Sequence, residues 1–176
     1  MGLEVKPPRR RDDEIQAIFD ATPGHIIQVV NTQTGAVATG ATVIPLDDTI
    51  PQNTEGNEYM TLAITPKSAT NKLKIDVVIN LAHSAEGAHS MVAALFQDDI
   101  ANALAVGWAA RHSGFVDLES QVSLTHYMDA GTTSETTFKI RAGTNAAGTT
   151  TFNGTAAARK YGDVMASSIT ITEIKV

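Results

Sequence analysis

The sequence predicts an all-β chain folded as a two-layered β-sandwich, preceded by a short N-terminal arm and helix. Three observations predict it. The 176 residues include 22 threonines and 13 glycines, which favour strands and turns respectively. Apolar residues recur at every second position over several separate segments, the period of a half-buried strand. The stretches between those segments are rich in Gly, Asn, Asp and Pro, residues that turn the chain.

Residues 1–23 make up the arm and helix. Lys6, Arg9, Arg10 and Arg11 form a basic run around Pro7-Pro8. The two prolines stiffen the run and disfavour helix there. Asp12, Asp13 and Glu14 follow at once. The two aspartates suit an N-cap, and all three acids suit the positive end of a helix dipole. Ile15, Ile18 and Phe19 then fall at i, i+3 and i+4. That is one apolar stripe on a helix of about two turns, ending before Thr22-Pro23-Gly24. Such a helix is marginal alone in water, so its stripe must dock on its own domain or on a partner.

From Gly24 the period changes to two. His25–Thr32 is β-branched and strand-like. In Asn57–Thr65, Met60, Leu62 and Ile64 share one face, and Tyr59, Thr61 and Ala63 share the other. Lys72–Leu81 is the clearest strand: Leu73, Ile75, Val77, Ile79 and Leu81 oppose Lys72, Lys74, Asp76 and Asn80. Met91–Gln97 is mostly apolar, and its length and neighbours favour a strand over a helical turn. Gln121–Met128 sets Val122, Leu124, His126 and Met128 against Gln121, Ser123, Thr125 and Tyr127. Thr136–Ala142 sets Phe138, Ile140 and Ala142 against Thr137, Lys139 and Arg141, and Ser168–Ile174 closes the chain. Roughly seven to nine strands so spaced describe a jelly-roll-like β-sandwich over residues 24–176. Strands and helices do not alternate, which disfavours a doubly wound α/β fold.

Composition narrows the chemistry. There is no cysteine, so disulfides, thiolate metal sites and a cysteine nucleophile are excluded. The net charge is −6, so a whole-surface basic footprint for nucleic acid is absent. No apolar run approaches the roughly 20 residues of a membrane helix, and the N-terminus lacks the apolar segment of a secretory signal. No nucleophile elbow, phosphate loop or dinucleotide fingerprint is present. No catalytic residue, metal ligand or cofactor is therefore assigned, and the protein is expected not to be an enzyme, a carbohydrate-degrading enzyme being the less favoured alternative.

Four groups of residues remain as candidates. The basic run suits an arm lying on an acidic partner protein better than a nucleic-acid contact, because acids follow it closely; a solvated tail is the bland reading. The loop expected over Ala103–Val116 carries Trp108, Arg111, His112 and Phe115 among small residues. Aromatics with arginine in a loop are a frequent recognition pattern, but Trp108 and Phe115 could equally plug one end of the sandwich. His83, Glu86 and His89 form the one local cluster of ligand-type residues. It lacks a third fixed ligand and reads as a solvated loop. His126 is in phase with the apolar residues of its strand and reads as a core or interface histidine.

A resemblance adds to this reading. It is carried by Gly24–Thr39 (GHIIQVVNTQTGAVAT), Ile44–Gln52 (IPLDDTIPQ), Glu55–Met60 (EGNEYM), Ile64–Leu73 (ITPKSATNKL), Ala94–Asp98 (ALFQD), Thr125–Met128 (THYM) and Ser167–Ile174 (SSITITEI). Over roughly residues 24–174 the chain resembles the C-terminal β-sandwich domain of bacteriophage fibre-type virion proteins. The resemblance implies a jelly-roll-like display domain, commonly a homotrimer, on a virion assembled in the host cytoplasm. It also implies attachment to other virion proteins through residues 1–23 and contact with a host surface glycan or protein. No binding residue transfers, because the loops of such domains vary. The 23 residues ahead of the domain, in place of a long shaft, fit a short fibre or a capsid decoration or head-fibre protein. A trimer would bury strands that are apolar on both faces. On that ground Ile75, Val77, Val78, Ile79, Met91 and Leu95, with the C-terminal strand, are expected to supply the intersubunit core. Arg9, Arg10, Arg11, Ile15, Ile18 and Phe19 are expected to anchor the chain.

Overall fold

The strand of clearest alternation is the spine of the protein. The computed structural model describes residues 11–176, the side chains of Asp20, His112 and Ser113 excepted. In chain order, helix α1 (Arg11–Ala21) is followed by β1 (Ile26–Thr34), β2 (Ala38–Gly40), β3 (Asn57–Ile64) and β4 (Lys72–His83). Then come β5 (Gly87–Gln97), β6 (Ala105–Ser113), β7 (Glu119–Asp129), β8 (Thr136–Thr144), β9 (Thr150–Phe152), β10 (Gly154–Thr155), β11 (Ala158–Arg159) and β12 (Ser167–Ile174).

Two antiparallel sheets face each other. In the first, β1 pairs β12, β12 pairs β4 and β4 pairs β7, while the short β9 and β2 extend it past the C-terminal end of β4. The second runs β3-β8-β5-β6. Long strands that cross between sheets in this order make the eight-stranded jelly roll, so the expected fold class is the one observed. Strands β10 and β11 form a small separate ribbon.

Alternation decides which side chains meet. Leu73, Ile75, Val77, Ile79 and Leu81 point inward from β4, and Ile169 and Ile171 from β12. They meet Met91 and Leu95 of β5 and Phe138 and Ile140 of β8. Each fully buried side chain of this size contributes about 1.5–3 kcal/mol before ordering costs.

This packing overturns the expected trimer core. Ile75, Val77, Ile79, Met91 and Leu95 are enclosed within the subunit's own core, so they have no surface to offer a second copy. Val78 stands apart on the outer face, half-buried. The second apolar face of β5 has a local explanation. Ile44, on the segment between β2 and β3, covers Val92, Ala94 and Phe96 in a small second core. Its N–H is fixed to the Thr144 carbonyl at 3.0 Å.

Two local departures follow from backbone detail. A bulge in the β3–β8 pairing between Glu58 and Met60 adds a residue and rotates the strand. Tyr59 therefore packs on the main core together with Met60, its ring stacked on Phe152 at 5.0 Å. Burial pushes the Tyr59 hydroxyl up to about 12. The second departure is β6, a strand where a loop was expected. Its small residues give no alternation, so the order comes from pairing with β5 along Gly87–Leu95. A Cβ on Gly107 would lie 2.5 Å from the Ser123 carbonyl oxygen, so only glycine lets β6 close against β7 at this edge.

Candidate functional site

The expected anchoring residues divide. Arg9 and Arg10 lie outside the described residues. Arg11 opens α1 and is exposed, with Asp12, Asp13 and Glu14 inside the first turn rather than ahead of it. Ile15, Ile18 and Phe19 are 47%, 66% and 55% exposed. An apolar stripe this open on a short helix is an incomplete contact. The helix is tied to the sandwich at its C-terminal end. The Thr22 hydroxyl donates to the Ile18 carbonyl at 2.7 Å, and Nδ1 of His25 donates to the Thr22 carbonyl at 2.6 Å. The Phe19 ring meets His25 edge-on at 6.3 Å. Gly24 N–H then donates to Lys175 O at 2.8 Å, and Lys175 N–H to His25 O at 3.0 Å, which starts the first sheet.

Trp108, Arg111 and Phe115, expected with His112 on one recognition loop, do not share a surface. Trp108 sits mid-strand on β6, opposite Val92, and is 60% exposed on the outer face. It adjoins Val106, Leu46 and Pro51 around a shallow depression of about 230 Å³. Arg111 alternates to the inner side and is only 7% exposed. His112 lies on β6 opposite Ala88. Phe115 is exposed in the turn after β6. The expectation fails because a strand sends alternate residues to opposite faces.

The histidine cluster differs from its sequence reading. His83 ends β4 and His89 lies early in β5; they are 1% and 5% exposed, with ring centroids 5.2 Å apart. Glu86 between them is exposed. Among the described residues, no group of three His, Asp or Glu side chains is placed to hold a metal ion. His89 pairs across the strands with Arg111. Ala85 N–H donates to His83 Nδ1 at 3.1 Å, and His83 Nε2 lies 3.2 Å from the Thr144 hydroxyl. That hydroxyl donates to the Ala146 carbonyl at 2.8 Å. Nδ1 is an acceptor, so the fitting ring is the neutral Nε2–H tautomer. Neither His89 nitrogen, nor the Arg111 Nε, has a hydrogen-bond partner of ordinary geometry. The Arg111 Nη groups donate to the carbonyls of Leu118 and Phe115. Burial, then the charges of its neighbours, holds His83 below the ordinary histidine value, with Asp117 acting the other way. Burial and Arg111 do the same to His89. Burial alone lowers His126, which lies half-buried in phase with its strand.

A second buried polar group escaped the sequence reading. Glu173 on β12 is fully buried. It accepts from Gln28 Nε2 at 2.6 Å, Lys67 N–H at 2.8 Å, Ser68 N–H at 3.3 Å and Asn71 Nδ2 at 2.6 Å. Burial raises its carboxyl, but these bonds outweigh burial and hold it below the usual carboxylate range. Its donors come from far along the chain, so only its place in phase with Ile169 and Ile171, an acid in the inward-facing series of β12, could have drawn notice.

No protein-family model matches the sequence, and no curated protein is similar to it. Among solved structures, the Eiger TNF from S. frugiperda is 12% identical with a TM-score of 0.44, over 84% of this chain and 92% of that one. The VP2 subviral particle of infectious bursal disease virus is 13% identical with a TM-score of 0.41, over 85% of this chain and 34% of that one. Dimeric latent PorU from Porphyromonas gingivalis is 10% identical with a TM-score of 0.37, over 88% of this chain and 14% of that one. This chain therefore spans about a third of VP2. The neighbours thus include a TNF protein and a viral particle protein, and the likeness is one of backbone architecture.

Proposed function

We propose that the protein is a non-enzymatic structural component of a bacteriophage virion. It is a short fibre-type subunit, joined to the particle through its N-terminal segment and displaying the jelly roll outward. The observation that carries this reading is the open stripe of Ile15, Ile18 and Phe19. Its helix is fastened to the sandwich at its C-terminal end, and its exposed apolar stripe is open to another protein. Burying the three side chains there would contribute about 1.5–3 kcal/mol each before ordering costs. A trimer would multiply such contacts. The reading also draws support from the resemblance of residues 24–174 to fibre-type display domains. Glu173, the most buried carboxylate among the described residues, is occupied by structural hydrogen bonds, which suits a non-enzymatic role.

The double variant Ile18→Glu/Phe19→Glu tests the anchor. It is expected to fold as the parent does and to be missing from purified particles. Normal incorporation of the variant overturns the reading. Light scattering of the purified chain tests the trimer, and a monomer at micromolar concentration would remove that part.

A specific feature favours a second reading, a capsid decoration or head-fibre protein. Leu46, Ile50, Val106 and Trp108 are exposed on the outer side of the β6 edge, a broad apolar area suited to gripping a shell. Copy number separates the two: a few copies at the tail mark a fibre, and many spread over the shell mark decoration.

A further inference from the structure

We propose that His83, His89 and Arg111 form an acid-sensitive latch at one end of the sandwich. In neutral solution the latch holds the β4–β5 hairpin and the 114–118 turn in place, and proton uptake by the imidazoles releases them. The inference concerns the domain alone and does not depend on how the protein is attached.

The geometry supplies a mechanism at a stated atom. His83 Nδ1 accepts the Ala85 N–H. A proton on that nitrogen turns the acceptor into a donor, so two N–H groups face each other where a hydrogen bond stood. The new charge is enclosed beside the His89 ring, 5.2 Å away between centroids, and beside the Arg111 guanidinium. The charged or titratable groups facing His83 are His89 from β5, Arg111 from β6 and Asp117 from the turn after β6. Asp117 is the one acid among them, set against an arginine and two imidazoles. A buried charge without a matched partner is costly, and the cost is relieved by opening to water.

The elements that would open are held by these same residues. Arg111 ties the turn through the Phe115 and Leu118 carbonyls. Asp117 N–H donates to the His83 carbonyl at 2.9 Å. On the hairpin side, Ser84 N–H donates to the Thr149 carbonyl at 3.0 Å. The Thr155 hydroxyl also donates to the Asp117 carbonyl, while the side chains of Phe115, Val116 and Leu118 are exposed. The strands behind, β4 with β12 and β7, are paired along most of their length and stay closed.

Amide hydrogen exchange on the full chain, corrected for its intrinsic pH dependence, tests the latch between about pH 7.5 and pH 5. Protection of residues 84–89 and 114–118 is expected to fall about tenfold or more, which corresponds to about 1.4 kcal/mol. Protection of Leu73–Val78 should hold. His83→Gln stays neutral throughout and is expected to abolish the fall. Unchanged protection in the parent, or an undiminished fall in the variant, overturns the proposal. If that variant does not fold, imidazole nitrogen shifts of the parent give the answer. The His83 ring must take up its proton over the same pH range in which the 114–118 amides shift. A His83 ring already charged at about pH 7.5, or titrating apart from those amides, overturns it too.

Discussion

The two ends of β4 bury polar groups in opposite ways. At the N-terminal end, Glu173 opposes Leu73 and accepts hydrogen bonds from Gln28, Lys67, Ser68 and Asn71. At the C-terminal end, His83 and His89 are equally enclosed, yet both His89 nitrogens and one Arg111 nitrogen lack hydrogen-bond partners of ordinary geometry. A buried charge is stable when its full complement of partners is built in, and a buried imidazole without them is stable only while neutral. One end of the sandwich is therefore a fixed joint and the other a pH-dependent one.

The comparison can be broken or sharpened in graded steps. The largest effect is expected from Glu173→Ala, which strands the four groups that donate to it. Denaturant unfolding should show a loss of about 3 kcal/mol or more. A loss below about 1 kcal/mol would mean that the joint is not fixed as described.

The next effect is set by pH. The folded values of His83, His89 and His126 lie below the ordinary histidine value. The stability tied to them is full above about pH 6.5 and is lost as pH falls through the folded values. Glu173 and Asp76 are also held low, so their share is lost further down, below the usual carboxylate range. Unfolding midpoints measured against pH should thus show two separate declines, and His89→Phe should flatten only the upper one.

Arg111→Met is expected to cost about 1–2 kcal/mol through its lost bonds to the Phe115 and Leu118 carbonyls. Removal of an unpaired charge offsets part of that loss. The smallest effect belongs to the outer face. Trp108→Ala should change stability by no more than about 0.5 kcal/mol, because its side chain rests on the surface.

How much of this was legible in the sequence depended on side-chain contrast. In β4, large aliphatics alternate with Lys and Asp, so both the strand and its buried face could be read directly. In β6, Gly107, Ala109 and Ala110 offer no contrast, and the segment passed for a loop. Met91–Leu95 showed apolar residues on both faces. Sequence alone does not reveal that Ile44, far away in the chain, covers the second face, so the pattern points instead to a second copy of the chain. The open stripe on α1 was legible because its spacing is local. The latch was not, because Arg111 reaches the histidines only through the register of β5 and β6.

The account stands or falls on the separation of anchor from display domain. Residues 24–176 and the full chain can be produced together during particle assembly, and their ratio in purified particles measured by mass spectrometry. The shortened form is expected to be folded and abundant in the lysate, with the full chain alone in the particles. Equal incorporation of both forms would contradict the account.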